Sequence, residues 1–154
     1  MKVADWAAES GEVVVMTLGL GSCVAIVLHD ARAGAGAMAH VLLPSPSLAR
    51  DRSNPAKFPE TAVPLLVQRL AALGAQPERL TARLVGGAAM FAAVTPGVAH
   101  MGERNVLAAR EACQRARIPV IAEDTGGDHG RSVYLHLPDG RVEVRSVRRG
   151  TREL

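Results

Sequence analysis

A cysteine, a histidine and a threonine near the start of the chain have types and spacing suited to nucleophilic chemistry. Cys23 follows the glycine-rich bend in MTLGLGSCVAIVLHD, and His40 comes 17 residues later in GAMAHVLLP. An imidazole beside a thiol can take the thiol proton during attack and later donate it to a leaving amine. Thr17 could hydrogen-bond the far ring nitrogen, and the backbone N–H groups of Gly21 and Ser22 could stabilise an oxyanion.

The pairing of two predicted strands decides whether the thiol and the imidazole meet. In an antiparallel hairpin, opposed residues have a constant sum of residue numbers, and a sum of 63 centres the turn between Ala31 and Arg32. Directly opposed side chains share a face, with Cβ atoms about 4.5–5.5 Å apart. Gly34 and Gly36 could move this centre by two residues or introduce a bulge. The spacing permits the contact without requiring it.

Other interpretations of the same residues stay open at the level of pattern. A small cysteine at the start of an apolar strand is often a packing residue, and a histidine in a strand is often a core residue. The stretch LGSC also resembles a bacterial lipobox, although the acidic residues before it are wrong for a secretory leader. The stretch GLGSC lacks the third glycine and the following helix of a dinucleotide fingerprint.

The rest of the composition argues against metal, cofactor or nucleic-acid binding. The acidic and histidine side chains at 123, 124, 128 and 129 could be metal ligands, but no CxxC or helical pair accompanies them, so a solvated turn is expected. The net charge is +3, and the arginines are scattered among acidic residues. With only 3% aromatic residues there is little for bases to stack on. We expect no cofactor, no metal and no nucleic-acid partner.

Length and composition indicate one globular domain over residues 1–154. The chain is 48% hydrophobic and 21% charged, with a mean hydropathy of +0.12. Its two cysteines do not form a disulfide framework, Cys113 falls on a helical pattern as a core residue, and a reducing cytoplasm is the expected setting. Residues 13–28 are apolar, but they are broken by glycines and too short for a spanning helix. No membrane insertion is expected.

Hydrophobic periodicity predicts a mixed α/β fold in which helices cover a mostly antiparallel sheet. The predicted strands are residues 12–18, 23–30, 37–43, 80–87 and 118–124, followed by a hairpin of 131–137 with 141–147. The predicted helices are residues 60–73, with Pro64 in the first turn, and 101–118. Residues 44–59 form a long polar loop, a candidate lid or substrate-contacting rim. The basic tail 148–154 is interpreted as a solvated terminus.

Five blocks of the sequence, taken together, resemble the CheD family. They are TLGLGSCVAIVLHD, GAMAHVLLP, LVGGAAMF, MGERNV and IPVIAEDTGGDHGRSVYLHLPDGRVEV, and they cover about residues 10–147. The resemblance implies a three-layer α/β sandwich related to the catalytic domain of cytotoxic necrotizing factor toxins. It also implies a cysteine hydrolase that converts chemoreceptor glutamines to glutamate and releases ammonia. The catalytic set of the family falls on Cys23, His40 and Thr17.

The resemblance further implies partners and leaves alternatives. The expected substrate is the cytoplasmic domain of methyl-accepting chemotaxis receptors, with glutamate methyl esters as a second substrate, and a CheC-type phosphatase is a candidate partner. Departures from the family pattern are Phe58, Glu60, Ala89 and Met101, none of them at the three catalytic positions. One alternative is a non-catalytic interaction module that binds receptors or a CheC-type phosphatase. The other is a structural domain with an inert thiol.

Overall fold

The computed structural model describes residues 1–89 and 100–154. Within these ranges the chain forms nine strands and two α-helices. The strands are β1 Trp6–Ser10, β2 Val14–Leu20, β3 Val24–Asp30, β4 Ala35–Val41, β5 Thr81–Gly86, β6 Val120–Thr125, β7 Arg131–His136, β8 Arg141–Ser146 and β9 Gly150–Glu153. The helices are α1 Pro59–Ala72 and α2 Met101–Arg115. The last two residues of the LVGGAAMF block lie outside the described residues.

The strands divide between two sheets rather than forming the single sheet that periodicity predicts. The first sheet has the order β1-β4-β3-β5-β6, in which only β5 and β6 run parallel. The second sheet has the order β2-β7-β8-β9 and is antiparallel throughout. The chain therefore changes sheet between β2 and β3. Local periodicity does not reveal this change, because β2 pairs with a strand more than 100 residues away.

The five-stranded sheet is the middle of three layers. Every residue of β3 and β4 is buried, since one face packs on the helices and the other packs on the second sheet. Ile26 and Leu28 contribute to the apolar cluster under the helices, whereas Ala25 and Val27 contribute to the cluster between the sheets. Successive residues of a strand point to opposite faces, so each strand supplies both cores.

Both helices match the predicted positions, with small differences at their ends. Helix α1 buries Ala62, Leu66 and Leu70 against the central sheet; it begins at Pro59, so Pro64 lies in the second turn rather than the predicted first. Helix α2 ends at Arg115, three residues before the predicted end. There Arg117 takes a left-handed φ of 58° and its N–H bonds the Gln114 carbonyl, while the N–H of Ile118 bonds the Cys113 carbonyl. This is a Schellman motif, which ends a helix.

The two ends of the chain are more ordered than the sequence predicts. Strand β1 pairs with β4 and was not predicted, because WAAES has no clear alternation. The basic tail, expected to be a solvated terminus, instead contains β9, which pairs with β8 although all four of its residues are exposed. In the loop 44–59, short 3₁₀ turns occupy Pro46–Leu48 and Pro55–Lys57. Among the described residues, no helix is both long enough and apolar enough to cross a bilayer.

Candidate active site

Cys23 and His40 lie on the same face of the five-stranded sheet. The register pairs Ala25 with His40 and Val24 with Val41, so paired residue numbers sum to 65. The predicted sum of 63 is wrong by two, and Cys23 is the diagonal rather than the direct neighbour of His40. Diagonal neighbours on one face have Cα atoms roughly 7–8 Å apart, which long or aromatic side chains can bridge. The thiol and the imidazole therefore still share one side of the sheet.

The turn between β3 and β4 explains the shift in register. Asp30 pairs with Ala35, which leaves a four-residue loop of residues 31–34. One carboxylate oxygen of Asp30 accepts the N–H groups of Arg32 and Ala33 at 2.9 and 3.2 Å. This side-chain turn makes the loop begin immediately after Asp30. The centre of the hairpin consequently moves one residue along the chain, to between Arg32 and Ala33.

Thr17 reaches His40 from the other sheet. Thr17 pairs with Val133 on β7, and its side chain points inward between the two sheets. The Oγ1 atom of Thr17 lies 2.7 Å from Nδ1 of His40, and both side chains are fully buried. The register of β2 and β7 shifts between Thr17 and Leu20, where Gly19 has a φ of 71°. This irregularity ends the regular pairing of β2 just before the loop that carries Cys23.

Burial keeps both the imidazole and the thiol uncharged at neutral pH. The pKa of His40 is lowered to about 4, mainly by burial and also by the nearby Met1 ammonium group, while the Asp5 carboxylate acts in the opposite direction. Burial also raises the pKa of the Cys23 thiol, partly offset by the backbone N–H of the same residue. A pair in this state is a neutral thiol and a neutral imidazole, so a proton would move during attack rather than before it.

The second ring nitrogen of His40 is not engaged by Thr17. Its Nε2 atom is buried and has no hydrogen-bond partner among the described residues. Because Nδ1 is engaged by Thr17, Nε2 is the atom left for a proton transfer. Cys23 itself is 9% exposed, so its thiol lies at the edge of the core rather than in its centre.

The end of β5 holds the loop that precedes Cys23. The N–H of Gly87 donates to the Cys23 carbonyl and the N–H of Ala88 donates to the Gly21 carbonyl, each at 2.8 Å. Gly86 has a φ of 117°, and a Cβ atom there would lie 2.3 Å from the Cys23 carbonyl oxygen. Only glycine fits this approach. Gly21 and Ser22, the predicted oxyanion donors, thus lie in a loop that backbone hydrogen bonds from Gly87 and Ala88 hold in place.

Asn105 is a positioning residue that the sequence reasoning missed. It lies on α2, is fully buried, and donates its amide hydrogens to the carbonyls of Ser22 at 2.8 Å and Leu42 at 3.1 Å. These carbonyls stand next to Cys23 and two residues beyond His40. One amide therefore joins the two chain segments that carry the thiol and the imidazole. Its sequence signals were its place in the MGERNV block and its position as a polar residue on the buried face of an amphipathic helix.

The acidic residues considered as metal ligands lie elsewhere and form ion pairs. Arginines neutralise them: Arg131 and Arg152 with Asp124, Arg110 with Glu123, and Arg148 with Asp128. Within residues 1–89 and 100–154, no group of three or more histidine, cysteine or acidic side chains has the arrangement of a metal site. Cys113 is fully buried in α2 as a core residue.

Fold and site together define a class: a two-sheet α/β domain with a buried Thr–His hydrogen bond and a free cysteine on the same face of the central sheet. The family described as CheD chemotactic sensory transduction matches residues 42–146. This chain belongs to the CheD family, as its sequence resemblance indicated.

Full-length relatives extend the match to the region of the site. The chain is 38% identical over 151 residues to the probable chemoreceptor glutamine deamidase CheD of Caldanaerobacter subterraneus subsp. tengcongensis, covering 97% of this chain and 93% of that protein. It is 42% identical over 145 residues to the protein of the same name from Pyrococcus abyssi, covering 94% and 89%. It is 44% identical over 155 residues to the probable chemoreceptor glutamine deamidase CheD 2 of Geobacter metallireducens, covering 99% and 95%.

Proposed function

We propose that this protein hydrolyses the side-chain amide of chemoreceptor glutamines to glutamate and ammonia, with Cys23 as the nucleophile. The observation that carries the proposal is the buried Thr17–His40 hydrogen bond on the face that also bears Cys23. The names of the full-length relatives supply the substrate class. The proposal assigns a chemical step to each of the three side chains.

In the first half of the reaction, the thiol attacks the carboxamide carbon. Nε2 of His40 takes the thiol proton as the S–C bond forms, and the carbonyl π electrons move to oxygen. Backbone N–H groups in the Gly21–Cys23 loop stabilise that oxyanion. When the C–N bond breaks, the imidazolium gives its proton to the departing nitrogen, which leaves as ammonia. A thioester between Cys23 and the glutamyl side chain remains.

In the second half, water hydrolyses the thioester. The neutral imidazole of His40 takes a proton from water as the new C–O bond forms, and then returns it to the departing sulfur. The products are a glutamate side chain and the free thiol of Cys23. Thr17 hydrogen-bonds Nδ1 of the imidazole, so it acts by orienting the ring rather than by carrying a proton.

Mass spectrometry of a receptor cytoplasmic fragment tests this proposal. Incubation with the protein should increase the mass of selected glutamines by about one dalton and release ammonia. Cys23→Ala should abolish both signals, whereas Cys113→Ala, which removes the other buried thiol, should retain them. His40→Ala should lower the rate by about 100-fold to 10,000-fold, the usual contribution of a general base. Turnover by Cys23→Ala near the wild-type rate would exclude the covalent route.

The same acyl-enzyme chemistry extends the proposal to glutamate methyl esters. An ester would form the same thioester with methanol in place of ammonia as the leaving group. Release of methanol from a methylated receptor fragment, lost in Cys23→Ala, is the matching assay.

Binding without turnover is the outcome that would favour an interaction module instead. Co-purification with a receptor fragment or with a CheC-type phosphatase, beside an ammonia assay that stays at background, would identify that role. Rapid alkylation of Cys23 by iodoacetamide in the folded protein would exclude an inert structural thiol.

A further inference from the structure

The N-terminal segment, residues Met1–Asp5, lies directly against the Thr17–His40 pair. The N–H of His40 donates to the Asp5 carbonyl at 3.0 Å, and the His40 carbonyl accepts the N–H of Ala4 at 2.9 Å. The segment therefore bonds both backbone groups of the residue that carries the imidazole. No role was predicted for it from the sequence.

The Met1 carbonyl offers the Thr17 hydroxyl an acceptor other than the His40 ring. The Oγ1 atom of Thr17 lies 3.3 Å from the Met1 carbonyl oxygen and 2.7 Å from Nδ1 of His40. A hydroxyl has one proton, and a carbonyl oxygen can only accept. If the hydroxyl donates to Met1, its oxygen must accept a proton from Nδ1.

That arrangement selects one of the two neutral forms of the imidazole. With the proton on Nδ1, Nε2 has the lone pair that a base needs. Without the Met1 carbonyl, the Thr17 hydroxyl could donate to Nδ1 instead and stabilise the form with the proton on Nε2. That form has no lone pair to receive the thiol proton. Since Nε2 has no partner of its own among the described residues, Thr17 is the group that sets the balance.

The segment is anchored at several points beyond the site. The side-chain amide of Asn54 donates to the Ala4 carbonyl at 2.7 Å, and the Met1 nitrogen donates to the Met16 carbonyl at 2.7 Å. A carboxylate oxygen of Asp5 accepts the N–H of Trp6 at 2.9 Å, immediately before β1. These bonds hold the Met1 carbonyl in place over Thr17.

We propose that the segment Met1–Asp5 is a positioning element, in which the Met1 carbonyl holds Thr17 as an acceptor and His40 as the form protonated on Nδ1. Its catalytic consequence rests on the proposed function, but the protonation pattern itself does not. The charged groups that act on the imidazole are the Met1 ammonium, which disfavours its protonation, and the Asp5 carboxylate, which favours it.

Nuclear magnetic resonance of protein with ¹⁵N-labelled histidine tests the protonation pattern without any substrate. Long-range ¹H–¹⁵N spectra of the full chain at neutral pH should show a proton on Nδ1 of His40 and none on Nε2. A chain that begins at Ala4 lacks the Met1 carbonyl and should move towards the form protonated on Nε2. A full chain protonated on Nε2, or a shortened chain with unchanged ring nitrogens, would overturn the inference.

A double-mutant comparison separates this role from a general loss of structure. Shortening should lower kcat by about 10-fold to 100-fold, part of the contribution of a general base, with KM little changed. In a Thr17→Val background the same shortening should lower kcat by almost nothing more, because there is no hydroxyl left to orient. An equal loss in both backgrounds would mean that the segment acts only on folding.

A milder variant keeps the test valid if the shortened chain does not fold. Asn54→Asp retains the oxygen that caps the following 3₁₀ turn through Ala56 but removes the donor to the Ala4 carbonyl. It should shift the His40 spectrum in the same direction by a smaller amount, and no shift would count against the inference. If receptor glutamines are never deamidated while the spectrum behaves as expected, the proposed function fails and the positioning stands.

Discussion

Replacing Asn105 should destabilise the fold by removing the bond between the segments that carry Cys23 and His40. Asn105→Leu keeps the branching of the side chain in a fully buried site but loses both amide hydrogens. The carbonyls of Ser22 and Leu42 would then lack their donor. The same change removes the Asn105 carbonyl oxygen, which has no partner among the described residues.

These opposing effects set the size of the change. Two buried carbonyls that lose a donor cost roughly 2–6 kcal/mol together, at about 1–3 kcal/mol each. Removing a buried oxygen that has no hydrogen-bond partner raises the free energy of unfolding by about 1–3 kcal/mol. The middle of each range leaves a net loss of about 2 kcal/mol in the free energy of unfolding. For a chain of this size, that corresponds to a fall in Tm of about 4–8 °C.

Asn105→Asp should be worse than Asn105→Leu at neutral pH. A buried carboxylate has no donor for either carbonyl and repels both oxygens, so the folded protein raises its pKa above the unfolded value of about 3.9. The protonated carboxyl has one O–H that can donate to one carbonyl. The added penalty is therefore absent below a pH of about 3.9, grows as the pH rises from there to the folded pKa, and is constant above it.

Urea unfolding followed by circular dichroism at neutral and acid pH measures both effects. Glu111→Gln, on the exposed side of the same helix, is the matched control and should change stability by less than about 0.5 kcal/mol. An Asn105→Leu protein as stable as the wild type would show that the two carbonyls do not depend on the Asn105 amide. An Asn105→Asp protein that loses no more stability at neutral pH than in acid would contradict the raised pKa of the buried carboxylate.

Four further outcomes follow from the same structure. Gly86→Ala should lower both stability and turnover, because its Cβ would meet the Cys23 carbonyl at 2.3 Å; wild-type kinetics would contradict that contact. Arg117→Gly should stabilise the protein by about 1 kcal/mol in urea unfolding, since glycine takes a left-handed φ without steric cost. Hydrogen bonds from Arg79 hold the pKa of Asp30 well below its usual range. The wild type should therefore be more stable than Asp30→Asn at neutral pH. That advantage should shrink as the pH falls below about 3.9, where the unfolded chain takes up the proton first, and a constant difference would contradict it. The acid limb of kcat/KM should lie near the His40 pKa of about 4, because the protonated ring cannot accept the thiol proton; a limb near the ordinary value of about 6.5 would contradict the burial of the ring.

Most secondary structure was predictable because it follows from local periodicity. The β-branched runs bounded by glycines placed β2 and β3, the Asp-Gly turn signal placed β7 and β8, and the helical spacing placed α1 and α2, each within a few residues. That Cys23 and His40 lie on the same face was also predictable, because a shift in register by two residues leaves each side chain on the face it already occupied. The exact pairing was not, because the carboxylate of Asp30 decides where the turn begins.

The order of residues along the chain is enough to establish which side chains are available for chemistry and on which face of a strand each one lies, because side-chain direction alternates residue by residue. The three-dimensional packing was needed to show that β2 joins a second sheet, which places Thr17 within hydrogen-bond distance of His40. It also decided that Asn105 and the N-terminal segment complete the surroundings of the site. These contacts join residues far apart in the chain, and their energies depend on burial and hydrogen-bond geometry that no local pattern records.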